Sequence, residues 1–306
     1  MEVSAKKSLM GKFLILLITV IWGSSFIILK NTLAEFSGGY FTFFILAARF
    51  LTAALCFALI SVKKLKTLNK EVLLNGFILG IFLFLAYGFQ TVGLKYTSAS
   101  KNAFLTASYC IIVPFLVWLF SKKRPSLKNY IAAVVCLLGV AFIGLFGNAE
   151  KGENELLGDA LSLFCGLFYA LQIYFNPKLL KENDPILILA VECLTAGALF
   201  MLLSGAYEFP LHAASFSFSG EALWKFAYLS LFATCFCQFG QLYGQKFVSP
   251  MATTLILSFE SVFGMLFEMI FGDAHITTFI ILGFICIFSA VILNEVEFPQ
   301  KLKKLD

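Results

Sequence analysis

The chain has 306 residues, of which 60% are hydrophobic and only 13% charged, with a net charge of +5. Soluble domains run nearer about 45–50% apolar and 25% charged. A water-exposed globular fold of this size is therefore excluded, and a lipid bilayer is the expected solvent.

A membrane-crossing helix needs about 20 mainly apolar residues. Ten such stretches are legible, at roughly 11–33, 41–62, 72–94, 98–120, 127–147, 157–177, 185–206, 222–245, 249–271 and 275–294. None alternates polar and apolar residues as a barrel strand would. The expected fold is an all-α integral membrane protein with ten transmembrane helices, joined mostly by short connections as up-down neighbours. The first stretch follows Lys6 and Lys7. It is too long for the apolar region of a secretory signal and lacks a small-residue cleavage site, so it reads as an uncleaved span.

With odd-numbered helices leaving the cytoplasm, seventeen lysines and arginines fall in inner connections and termini. Lys30, Lys95, Lys101, Lys151 and Lys225 fall in outer ones, and Arg49 lies inside helix 2. The positive-inside rule then makes both termini cytoplasmic, in a multi-pass protein of the cell (inner) membrane. The clusters SVKKLKTLNK (61–70) and SKKRPSLK (121–128) read as topology anchors, not as a nucleic-acid surface. The eight cysteines all lie in predicted spans, and the two histidines have no metal-ligand spacing. No disulfide framework, metal or cofactor is expected.

The sequence also repeats itself. GLKYTSASKNAFLTASY (93–109) and GQKFVSPMATTLILSFE (244–260) share a glycine, a lysine, an aromatic and a serine at one spacing, 151 positions apart. RFLTAAL (49–55) is matched by ECLTAGA (192–198). Helices 1 and 6 each carry a glycine, Gly11 and Gly158, followed eleven positions on by Trp22 and Tyr169. Residues 1–150 and 151–306 thus read as two five-helix repeats of one transmembrane domain. Five is odd, so the second copy enters from the opposite side. Inverted repeats of this kind recur in secondary transporters, with the substrate near the midplane between the halves.

The segment WGSSFIILK (22–30) resembles the first-helix signature of EamA-type members of the drug/metabolite transporter superfamily. AARF (47–50), LKYTSASKNAFLTASYCIIVPF (94–115) and LILSFESVFGMLFEMIFGD (255–273) are similar to that family's patterns in helices 2, 4 and 9. The resemblance covers nearly the whole chain. It implies a ten-helix exporter or importer of small metabolites that does not hydrolyse ATP. One position departs: Ser261 follows Glu260 where the family usually has proline, while helix 4 keeps Pro114.

Polar groups inside a bilayer are costly and mark candidate sites. At offset 151, Tyr87 matches Gln238 and Gln90 matches Gln241. Each pair has i, i+3 spacing and so shares a helix face. These four residues are candidate substrate ligands, with helix–helix hydrogen bonding as the alternative. Tyr109 and Glu260 form a further pair near mid-helix. Glu260 is the favoured group to take up a coupling proton or meet a cationic group. Arg49 and Glu192, matching charges of helices 2 and 7, are coupling or structural charges. Trp22 and Tyr169 offer aromatic walls, and Asn102, matched by Thr253, a gate or cap. Gly76-x-x-x-Gly80 and Gly240-x-x-x-Gly244 are expected to serve helix packing.

The leading reading is a secondary transporter that moves a small organic metabolite, an amino acid or related solute, by alternating access. The expected partners are that solute, a proton as candidate coupling ion, and lipid. A passive channel or facilitator is the alternative, and a membrane receptor or scaffold a weaker one. An enzyme is not expected, because no nucleophile, acid–base pair or metal cluster is found at either membrane face.

Overall fold

A computed structural model describes residues 5–122, 124–146, 155–180, 183–217, 220–271 and 275–295. The expected boundary at 150/151, Lys123, Lys151 and the basic tail lie outside them. The first half contains α1 (Ala5–Glu35), α2 (Thr42–Ile60), α3 (Lys70–Leu94), α4 (Ala99–Thr106), α5 (Tyr109–Ser121) and α6 (Leu127–Phe146). The second contains α7 (Glu155–Leu180), α8 (Pro185–Leu203), the short α9 (Phe209–His212), α10 (Gly220–Ala227), α11 (Cys237–Gly244), α12 (Pro250–Leu257), α13 (Phe259–Phe271) and α14 (Thr278–Glu295). The described residues include no strand. Eight helical stretches are long and apolar enough to cross a membrane. Two shorter apolar helices, Leu127–Ile143 and Thr278–Asn294, stand where the fifth and tenth crossings are expected.

The repeated serine is a helix cap in both halves. Ser98 accepts from the Lys101 N–H at the start of α4, and Ser249 accepts from the Ala252 N–H at the start of α12. Each cap satisfies one of the N–H groups that a helix start leaves without an intrahelical partner. The fourth crossing of each half then breaks at one repeat position. α4 gives way to α5 across Ala107 and Ser108, and α12 to α13 at Ser258. At the first break, Ser108, Cys110 and Ile111 donate to carbonyls three residues back, which tightens the turn. At the second, the Ser258 hydroxyl donates to the Thr254 carbonyl at 2.9 Å, a competition that bends helices. This break needs no proline: Ser261 stands at the departing position, and its N–H reaches Ser258 O at 3.2 Å. Expected helices 4 and 9 are therefore each two helices.

The halves interlock through paired glycines. A Cβ on Gly93 would sit 3.0 Å from the Gly158 carbonyl oxygen, and one on Gly158 2.9 Å from that of Gly93. Gly11 and Gly244 meet in the same way, a Cβ on Gly11 lying 3.0 Å from Gly244 O. The end of the third crossing of one half thus abuts the first crossing of the other, twice over. Gly76 and Gly80 seat α3 on Val191 and Thr195 of α8, while Gly240 and Gly244 seat α11 on Ile18 and Ile15 of α1. Both small-residue motifs serve packing.

Polar ties link the helix ends. Lys64 pairs with Asp184 at 2.5 Å, and Asn129 donates to Asn294 at 2.8 Å. All four residues belong to ends assigned inward by the charge pattern. Lys101 pairs with Asp159 at 2.6 Å, and Lys225 with Glu35. These belong to ends assigned outward. Burial acts to raise the Asp184 carboxyl, but Lys64 and the Ile186 and Leu187 backbone outweigh it and hold its pKa below the usual value. Lys95 donates to Gly39 O and Thr42 Oγ1, and partial burial lowers its ammonium pKa. Glu208 caps α2 from a distance, accepting from the N–H groups of Phe43 at 2.6 Å and Phe44 at 2.9 Å.

Candidate functional site

Where α1, α2, α3, α4, α5, α7, α11, α12 and α13 converge, their side chains enclose a cavity. Trp22 on α1, Tyr87 and Gln90 on α3, Tyr109 on α5 and Tyr169 on α7 line it. Gln241 on α11 and Glu260 on α13 complete the part foreseen as substrate-contacting, and Arg49 on α2 reaches in as well. The breaks in the fourth crossings explain two of these positions, since Tyr109 and Glu260 lie just beyond them. The free space is only about 30 Å³, room for one or two waters and far too little for an amino acid. A solute enters only if the helices part. Larger apolar grooves lie on the exterior, as around Leu9, Phe13 and Phe288, whose exposed side chains face the bilayer.

Hydrogen bonds hold several of the walls. The Tyr169 hydroxyl donates to Gln90 Oε1 at 3.0 Å, and Gln90 Nε2 donates to Thr106 Oγ1 at 3.4 Å. Gln238 donates to the Tyr87 hydroxyl at 3.2 Å, while the Tyr87 and Tyr169 rings meet edge to face at 5.5 Å. The stretch Tyr228–Phe236 between α10 and α11 is π-helical, a form frequent at functional sites. Thr234 donates five residues back to Leu229 O and accepts from Arg49 Nε at 3.1 Å. The neighbouring Ala233 carbonyl accepts from the Trp22 indole at 2.8 Å.

Arg49 is 2% exposed, and its guanidinium lies 5.5 Å from the centre of the Tyr87 ring, within cation–π range. Its Nη1 has no hydrogen-bond partner. Glu260 forms no ion pair with it, although both line the cavity. A buried cation with an unused donor and a carboxylate without a counter-ion thus line one cavity. Such groups persist inside a membrane where they meet a ligand, an ion or water.

Three expected residues stand outside the lining. Asn102 is fully buried, donating to Gln90 O at 3.1 Å and Ser162 Oγ at 2.8 Å, so it braces α3 against α7. Gln238 acts on Tyr87 from behind. Glu192, 1% exposed, accepts from Gln172 Nε2 at 2.6 Å and does not approach Arg49 as a partner. Ser25, Phe26, Leu29, Thr106, Ile173 and Leu257 also line the cavity and were missed, as was Gln172. The signal for Gln172 was available: Tyr169 and Gln172 have the same i, i+3 spacing as Tyr87 and Gln90. Among the described residues no group of three or more histidine, cysteine or carboxylate side chains is placed to hold a metal.

Comparison with known proteins agrees with this architecture. The model of the EamA-like transporter family matches twice, over residues 9–145 and 156–295. An uncharacterized transporter of Archaeoglobus fulgidus is 28% identical over 277 residues, covering 90% of this chain and 83% of the relative. The uncharacterized transporter YvbV of Bacillus subtilis is 29% identical over 128 residues, 42% of this chain and 40% of that one. A solved structure titled only as a protein crystal structure superposes with a TM-score of 0.75 at 13% identity, covering 93% of this chain and 95% of the other. That likeness concerns the fold alone.

Proposed function

Because the chain belongs to the EamA-like transporter family, we propose that the cavity is the binding site of a secondary transporter working by alternating access. Its solute is a small organic metabolite, an amino acid or a related compound. The two matched units are inverted five-helix repeats, ten crossings in all, with both termini cytoplasmic in the cell's inner membrane. Residues 1–150 and 151–306 form the two repeats. Glu260 is the candidate site for a coupling proton.

One observation carries this reading: Arg49, whose Nη1 has no partner, and Glu260, neither with a protein counter-charge, line a single cavity among membrane-spanning helices. A solute bearing an anionic group and a donor group complements both. The equivalent glycine contacts, serine caps and helix breaks of the two halves support the repeat. A space too small for the solute supports a cycle in which the helices must part before it binds.

The test is a thermal-stability screen of purified protein against amino acids and related metabolites. A ligand of the folded state raises apparent stability by mass action. Hits are then tested in proteoliposomes. Saturable counterflow is expected, and conductance without saturation would mark a channel instead.

A further inference from the structure

The repeat makes Gln90 and Gln241 equivalent, yet they are used differently. Both amide ends of Gln90 are occupied, Oε1 by Tyr169 and Nε2 by Thr106. Gln241 is 2% exposed and lines the cavity, and its Oε1 has no partner. The reason lies two residues away. An ionised carboxylate only accepts hydrogen bonds, so Glu192 in its charged form obliges Gln172 to present its Nε2, which it does at 2.6 Å. Gln172 is then left with its oxygen for the next contact. Gln241 must in turn offer its Nε2, at 3.4 Å. Its oxygen remains without a partner, on a residue that lines the cavity.

We infer that Glu192 is a positioning residue: acting through Gln172, it fixes the Gln241 amide with its carbonyl oxygen toward the solute, so that the cavity selects for a hydrogen-bond donor. This rests on the cavity being the binding site. The donor is an ammonium or a hydroxyl on the solute, set apart from whatever group Arg49 receives. Without the charge at position 192 the two amides lose their fixed sense. Gln241 can then turn its NH2 toward the cavity, and the selection weakens.

The probes are L-alanine, L-leucine and L-phenylalanine, each with its 2-hydroxy acid and its unsubstituted acid, measured by binding to the purified full-length protein. Within a set the carboxylate and side chain stay fixed while the donor is ammonium, hydroxyl or absent. Wild-type protein is expected to prefer the donor-bearing members by roughly 10–100-fold, the effect of leaving one buried acceptor unpaired. Glu192→Gln is expected to lower that ratio roughly tenfold, by weakening the donor-bearing members alone, the remaining preference being that of Glu260. The exchange Glu192→Gln with Gln172→Glu is expected to restore it. A carboxylate at position 172 again accepts from Gln241 Nε2 and sends the oxygen to the cavity, whereas a merely structural charge at 192 gains nothing from the exchange. Undiminished discrimination in Glu192→Gln, or no recovery in the exchange, overturns the inference and leaves the transporter reading standing. Wild-type protein that binds members of a set equally also overturns it. Failure to bind any of the nine overturns the solute class on which it rests.

Discussion

Arg49 combines a structural burden with the chemical use proposed for it, and the two separate under substitution. An arginine at the centre of a membrane helix costs about 2.5–3.5 kcal/mol on insertion scales. Arg49 recovers part of this through Thr234 and the Tyr87 face, but not at Nη1. Arg49→Met is therefore expected to leave the apparent melting temperature unchanged or higher, while affinity for carboxylate-bearing solutes falls roughly 10–100-fold. Equal losses of stability and binding would assign Arg49 to the fold alone. For Glu260→Gln, uptake is expected to lose its dependence on a proton gradient while binding persists. Unchanged pH dependence would remove Glu260 as the coupling group. At this scale the repeat offset was the informative signal in the sequence. It pointed to Tyr87, Gln90, Tyr109, Gln241 and Glu260, all of which share the cavity. It also pointed to Asn102, which stands outside the lining and bonds the facing Ser162. It missed Gln172, which contacts Glu192 on α8 and Gln241 on α11.

Helices and their junctions show where sequence periodicity reaches its limit. Long apolar runs located the crossings but gave no sign that two of them break. Apolar residues continue through Ser108 and Ser258, and hydrogen bonds mark both breaks. The proline rule would have assigned a kink to the helix with Pro114 and denied one to its partner. The Ser258 hydroxyl supplies what proline does not. Packing was more legible, since glycines spaced four apart admit a neighbouring backbone. Gly158→Leu and Gly11→Leu are each expected to destabilise the protein by about 1–3 kcal/mol, because the added side chain meets a facing helix. Gly205→Ala, at a position with nothing within 4 Å of an added Cβ, is expected to be neutral or slightly stabilising. Comparable losses at all three positions would show that the glycine contacts do not set the close approach.

The whole molecule is two matched units meeting around a polar cavity, tied at both ends. One tie responds to pH. Asp184 has a pKa below its ordinary value, so its contribution is present at neutral pH and is lost as pH falls through that lowered value. Because Lys64 is more than half exposed, the pair itself is worth at most about 1 kcal/mol. Asp184→Asn is expected to flatten the acid side of the stability profile slightly, without affecting solute binding at neutral pH. Composition established the membrane class, and the polar ties join helix ends that the charge asymmetry assigns to one side. Neither reveals how nearly closed the interior is, because that depends on side chains from nine helices meeting in one place.

Alternating access is tested most directly at Ser25, which lines the cavity from α1 and is not among the charged groups. In protein with its eight cysteines replaced, Ser25→Cys would be reconstituted and exposed to a membrane-impermeant thiol reagent from one side at a time. Reaction from each side is predicted, with bound solute slowing both. Reaction from one side only, or from neither under any condition, would contradict a site that opens in turn to the two faces of the membrane.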